Sequence, residues 1–240
     1  MPIRPIARHA ALAAVAALPL LVHAQVTQKP DGQWRSLFTA GASVATGNTD
    51  AKSASLGADV VKLTTLDKWS LTASGQYARS AGATTASRVG GTTLYSRDIT
   101  PEWFGFGQVD LLHDGVIDLS SRTTLGSGLG YHVVKKPDQA FDLSAGLAYT
   151  MDRYSRAQVI EDETRNRYEH AELLLAEESN NKLTDNTTFK QKLTVYPNLR
   201  DTEGVRTVFD AGAHRYDSRP GAGLGRNDTL FVTGVSLRFD

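Results

Sequence analysis

The chain contains no cysteine. Disulfides and thiolate-bound metals are both excluded by that absence. There is no basic excess either. Lys and Arg number 26 against 26 Asp and Glu, so no electrostatic footprint for nucleic acid exists. Long hydrophobic runs are missing too. Nothing beyond the N-terminal region approaches the ~20 apolar residues that a membrane-spanning helix needs. A disulfide scaffold, a nucleic-acid binder and a helical membrane protein all drop out.

What is present begins with an export signal. Arg4 and Arg8 form a basic start, and Ala10 to Val22 is a short apolar stretch interrupted at Pro19. Val22-His23-Ala24 then sets small residues where a signal peptidase cuts. Residues 1–24 are expected to be a cleaved signal peptide and residues 25–240 one outer-membrane β-barrel domain. Without Arg4 and Arg8, 24 basic residues face 26 acidic ones, a net charge of −2. An exported chain without cysteine must rely on backbone pairing and packing.

The remainder alternates with period two, the signature of strands. Leu119, Ser121, Thr123, Leu125, Ser127, Leu129, Tyr131 and Val133 interleave with Ser120, Arg122, Thr124, Gly126, Gly128, Gly130 and His132. Phe141 to Met151 repeats the pattern, with Leu143, Ala145, Leu147 and Tyr149 against Asp142, Ser144, Gly146 and Ala148. One face is apolar and the other polar or small. A membrane barrel with lipid outside and a polar lumen inside shows that pattern, and a soluble sandwich shows it as well.

Turn signals include Gly47-Asn48, Leu66-Asp67-Lys68, Thr100-Pro101 and His113-Asp114-Gly115. Ala81 to Ser87 reads as a small-residue loop, residues 155–164 as a charged loop, and Ser218 to Asn227 as a Gly/Pro-rich loop. Glu169 to Ser179 has helical propensity. It is read as strand because a helix would interrupt the hairpins.

Eleven strands result, whereas bacterial single-chain barrels have an even number. The fold class expected is therefore all-β: an antiparallel up-and-down transmembrane β-barrel of about 12 strands, with 11 counted. A lost partner is sought near Val205 to Tyr216. In hydrocarbon the first and last strands must join, because open sheet edges are costly there.

Aromatic placement favours the membrane barrel. With the first strand running upward, Trp34, Trp69 and Trp103 lie at lower strand ends. Phe141 and Phe189 begin later upward strands, and Tyr131 and Phe239 finish downward ones, forming one interfacial girdle. Tyr77, Tyr149, Tyr154, Tyr168 and Tyr196 are assigned to the opposite ends. The expected lumen charges are Asp59, Arg97, Asp110, Arg122 and Asp142, with Asp152, Lys190, Lys192, Arg206 and Asp210. Such charges either tune a narrow pore or fill a closed barrel with ion pairs.

Gly41-Ala42-Ser43-Val44-Ala45-Thr46-Gly47-Asn48-Thr49-Asp50 resembles the opening hairpin of the bacterial domain-of-unknown-function-481 family. Members of that family are often labelled salt-induced or YdiY-like outer-membrane proteins. Tyr196-Pro197-Asn198-Leu199, Tyr216-Asp217-Ser218-Arg219-Pro220 and Asn227-Asp228-Thr229 resemble its later segments, in order. The resemblance implies an outer-membrane β-barrel with no assigned activity. Such proteins usually have a further strand between the Tyr196-Pro197-Asn198 segment and the Tyr216-Asp217-Ser218-Arg219-Pro220 segment, and here that interval is short. Val232 to Phe239 is similar to the C-terminal signal read by the barrel-assembly machinery, with Gly234, Leu237 and Phe239 at the matching positions. Val232 and Asp240 depart from it. The partners implied are outer-membrane lipid and, during biogenesis, that machinery.

Chemistry is harder to find. A barrel lipid hydrolase needs a serine beside an oriented histidine. The histidines after cleavage are His113, His132, His170 and His214, and none stands in a His-x-Ser arrangement. His132 shares a face with Ser120 and Arg122. Glu161-Asp162-Glu163 lacks the spacing of a calcium loop. Gly221, Gly223 and Gly225 lack the context of a phosphate loop. No catalytic residue, cofactor or metal is assigned. The expectation is a non-enzymatic outer-membrane barrel with a structural, envelope-stress or small-solute pore role. The alternatives are a barrel lipid hydrolase and a secreted soluble β-protein that binds a ligand.

Overall fold

The computed structural model describes residues 30–46, 50–160, 163–184, 187–200, 204–216 and 227–239. The segment expected to be the signal peptide, Gly47-Asn48, Glu161-Asp162, Asp240 and most of the Gly/Pro-rich loop lie outside them. Everything regular within them is strand. The order is β1 (Trp34–Ala45), β2 (Ala51–Leu63), β3 (Asp67–Ser80), β4 (Ala83–Asp98), β5 (Trp103–Asp114) and β6 (Leu119–Lys135). There follow β7 (Gln139–Ile160), β8 (Glu163–Thr184), β9 (Thr187–Pro197), β10 (Val205–Tyr216) and β11 (Asn227–Phe239). No helix among the described residues is long and apolar enough to cross a membrane, which says nothing of a β-barrel.

Each strand pairs antiparallel with the next, in a single up-and-down sheet ordered β1 to β11. The connections are tight. Ala81 and Gly82 both have positive φ, 48° and 81°, the two-residue hairpin geometry that matches strand twist. The loop expected over Ala81 to Ser87 is therefore only a turn, and β4 starts at Ala83. The described residues of the expected charged loop, 155–160 and 163–164, also differ from expectation. There β7 and β8, 22 residues each, continue as a hairpin beyond their neighbours, with a bulge between Arg153 and Gln158. Glu169 to Ser179 is strand, in agreement with the hairpin repeat.

No strand is lost beside β10. The Asn198 amide donates to the Gly204 carbonyl at 2.8 Å, and β10 pairs directly with both β9 and β11. Eleven strands stand, and no ladder joins β1 to β11 among the described residues. The expected all-β up-and-down architecture and the count of eleven are found, whereas a twelfth strand and a paired seam are not seen among the described residues.

The sheet nevertheless curls. Lys68 on β3 reaches Glu178 on β8 at 2.8 Å. In a flat sheet those strands would lie about 24 Å apart, at ~4.8 Å per step. The two strands meet only because the sheet wraps around an interior as an incomplete barrel. Small residues permit the curl. A Cβ on Gly128 would stand 2.2 Å from the Ala145 carbonyl oxygen, and one on Gly130 would stand 2.0 Å from the Phe104 ring. The interior core comprises Phe106, Ala148, Leu174 and Tyr196, with Phe104, Ala176 and Val208 packed against it.

Candidate functional site: a layered polar interior

Alternation assigns the inward face, and the ladders carry that assignment across the sheet. Asp59 stands opposite Thr72, Thr72 opposite Thr92, Thr92 opposite Asp110, Asp110 opposite Thr124, and Thr124 opposite Thr150. All share the inner face. The interior separates into three layers.

The layer nearest the tryptophan rim is ionic. Lys68 bridges to Glu178, and Lys190 and Lys192 lie within electrostatic reach of that carboxylate. Asp59 is in reach of Lys190. His132 is clamped between two carboxylates, its Nδ1 2.7 Å from Asp142 and its Nε2 3.1 Å from Asp98. Lys135 also pairs with Asp98. Phe104 lies against the imidazole, with ring centroids 4.7 Å apart.

The middle layer is the apolar core of Phe104, Phe106, Leu174 and Val208. Above it is a hydrogen-bonded network. Gln108 donates to the Tyr196 hydroxyl and to Asp110, both at 2.9 Å. Thr92 donates to Asp110 at 2.6 Å. Glu172, 2 % exposed, accepts from Thr150 at 2.6 Å and from Arg206 at 2.9 Å. The Arg206 guanidinium sits 3.7 Å over the Tyr196 ring, a cation–π contact strengthened by burial. Arg122 holds Asp152 with two parallel bonds of 2.6 and 2.5 Å. A fork of that kind is the strong form of an Arg–carboxylate pair.

Most of the lumen charges read from the sequence meet partners here. Asp110, Arg122, Asp152 and Arg206 belong to the upper network. Asp59, Asp142, Lys190 and Lys192 belong to the lower layer. Asp210 stands opposite Lys192 in the ladder. Arg97 is the correction. It shares the face of Tyr95, its side chain is 61 % exposed, and it pairs with Asp67 on the outside of the sheet rim.

Trp34, Trp69, Trp103 and Tyr131 are exposed on the outer face. Phe141 and Phe189 follow the same parity at the same rim. Trp69 packs on Tyr95 at 4.7 Å and Trp103 on Tyr131 at 5.1 Å. Phe239 does not join them. With an odd number of strands, β11 runs in the direction of β1, so Phe239 falls opposite Val205 at the other rim. Of the opposite tyrosines, Tyr77 and Tyr149 are exposed outside, whereas Tyr168 and Tyr196 are buried inside. Tyr154 turns inward to Asp152 at 3.2 Å.

Sequence reading missed Lys68, Glu178, Gln108 and Glu172. Their partners lie up to 110 positions away, and no local pattern carries that distance. Among the described residues, no group of three His, Cys, Asp or Glu side chains forms a metal-sized site.

A family model described as a protein of unknown function, DUF481, matches residues 38–239. No curated protein matches the chain. No solved structure matches it.

Proposed function

We propose that this chain, which belongs to the DUF481 family, is a non-enzymatic outer-membrane β-barrel protein with a structural role in the cell envelope and a lumen sealed by its own side chains. One observation carries the reading: polarity is inverted relative to a water-soluble protein. Phe38 is 73 % exposed, Leu147 61 % and Leu129 53 %, whereas Asp152 and Glu172 are almost wholly buried. Contiguous apolar surface on that scale marks a membrane or partner interface, and the aromatic residues along its lower rim suit a headgroup boundary.

The lumen favours a filled barrel over an open pore. The Lys68–Glu178 and Gln108–Tyr196 links tie β3 to β8 and β5 to β9. An apolar cluster lies between the two layers, and in a closed barrel such a layer resists water and ions. The chemistry favours binding and structure over hydrolysis. Both ring nitrogens of His132 are engaged by carboxylates, and His113 contacts the Ser120 backbone oxygen rather than its hydroxyl. Embedding the sheet in hydrocarbon requires its two edges to be paired, because each orphan backbone group costs several kcal/mol there.

The test is fractionation followed by electrophoresis of boiled and unboiled samples. A membrane barrel is recovered in the outer-membrane fraction and migrates differently until heated. Recovery in the soluble fraction with no heat-dependent shift refutes the reading.

A further inference from the structure

We propose that the outer face of β6–β8, just above the apolar band, binds the phosphomonoester of an acylated glycolipid in the outer leaflet. This rests on the membrane reading above and deepens it. Arg153 and Arg167 stand directly opposite each other in the β7–β8 ladder. Like charges placed so are destabilising unless something neutralises them. Glu169 accepts from Arg167 Nε at 2.6 Å and from the Tyr149 hydroxyl at 2.9 Å. Arg153 makes no hydrogen bond or ion pair among the described residues. Arg200, following β9, lies within electrostatic reach of Tyr149. Arg153 and Arg167 thus flank one carboxylate, and Arg200 lies near its tyrosine partner.

These groups border a cavity. Ser121, Thr123, Met151, Arg153, Arg167 and Glu169 line about 280 Å³ on the outside of the sheet. Its height is informative. Leu143, Ala145 and Leu147 climb the outer face to Tyr149, the upper aromatic. Arg153 is four residues further, about 10 Å higher at ~3.4 Å per residue and ~40° tilt. That is headgroup level. The rim is assigned to the cell exterior because β1 begins at the other rim and the β7–β8 hairpin projects beyond this one. Long connections lie outside in such barrels.

The chemistry fits a phosphomonoester with chains attached. A guanidinium fork binds phosphate oxygens bidentately. The Ser121 and Thr123 hydroxyls supply further donors, and Met151 with the leucines below supplies a bed for acyl chains. Glu169 would repel a phosphate, but Arg167 offsets its charge through Nε and Nη2 and Tyr149 donates to its other oxygen, which leaves the Arg153 guanidinium and the outer edge of Arg167 for the phosphate.

The experiment uses full-length protein purified in detergent and stripped of lipid, titrated with diphosphoryl lipid A by native mass spectrometry. The Arg153→Gln/Arg167→Gln protein should bind at least about tenfold more weakly, and Arg153→Gln alone about threefold, as loss of charge-assisted phosphate contacts predicts. Lys62→Gln, at the opposite rim, should bind as the parent does. Lipid A without phosphates should bind no better to the parent than lipid A does to the double variant. Equal binding by the double variant, or by the phosphate-free lipid, overturns the site. Displacement by an equal concentration of inorganic phosphate or phosphatidylglycerol also overturns it, because the ligand would then be free phosphate or a common phospholipid. Every protein is also run boiled and unboiled. Unchanged lipid binding with the heat shift retained refutes only the lipid site. Absence of the shift in the parent refutes the barrel itself.

Discussion

Replacing Gly128 with alanine places a Cβ 2.2 Å from the Ala145 carbonyl oxygen and 2.6 Å from the Gly146 Cα. Both obstacles are backbone, so no side chain can rotate away. Ordinary contact lies beyond 3.4 Å, and β6 must separate from β7 by roughly 1 Å, an overpacking strain of about 1–3 kcal/mol. Each ladder hydrogen bond broken by the separation adds about 1 kcal/mol. The expected total is about 2–4 kcal/mol. Gly107 provides the matched control. It lies on the outer face of β5, and a Cβ there meets nothing within 4 Å. Alanine at that position should be neutral or stabilising by under ~1 kcal/mol, through lower unfolded-state entropy. Urea titration of both variants in detergent, read by unboiled-gel mobility and tryptophan fluorescence, separates them. Equal losses at the two positions, or no loss at Gly128, would refute the tight β6–β7 approach on which the curl of the sheet depends.

Asp152→Asn leaves the Arg122 guanidinium buried without its counter-charge, and should cost about 3–5 kcal/mol in the same titration. Tyr196→Phe removes only the hydroxyl accepting from Gln108, and about 1 kcal/mol is expected. Lys68→Met removes one cation from the lower ionic layer, where Lys190 and Lys192 remain within electrostatic reach of the half-buried Glu178. Planar-bilayer recordings should still show no steady conductance, because the apolar layer above remains. An odd strand number sets β1 and β11 parallel, so a closing seam is a parallel ladder. A cysteine near Trp34 should form a disulfide with one near Asn227, not with one near Phe239; the opposite pairing would demonstrate an even count.

Much of this was legible in the sequence. Period two in Leu119 to Val133 and Phe141 to Met151 placed Arg122, Asp142 and Asp152 on one face, because a pleated strand leaves no other choice. The same rule could have corrected Arg97, which lies two residues after Tyr95 and so faces with it. It could also have turned Tyr196 inward, since Tyr196 shares parity with Lys192 and Thr194. Phe239 was misplaced for a different reason: one extra or missing strand reverses the direction of the last. The pairs Lys68–Glu178 and Gln108–Tyr196 were invisible because curl, not sequence proximity, brings them together. Ala81-Gly82 was hidden by its composition, since small residues signal a long loop and a two-residue turn alike.

In a membrane-spanning barrel alternate residues of each strand face lipid and lumen, and a cysteine-free chain allows that alternation to be tested residue by residue. Single cysteines at positions 142 to 147 of β7, labelled with an environment-sensitive fluorophore in vesicles, would be exposed to brominated lipid. Quenching should be strong at 143, 145 and 147 and weak at 142, 144 and 146. Uniform quenching, or none at any position, would contradict it.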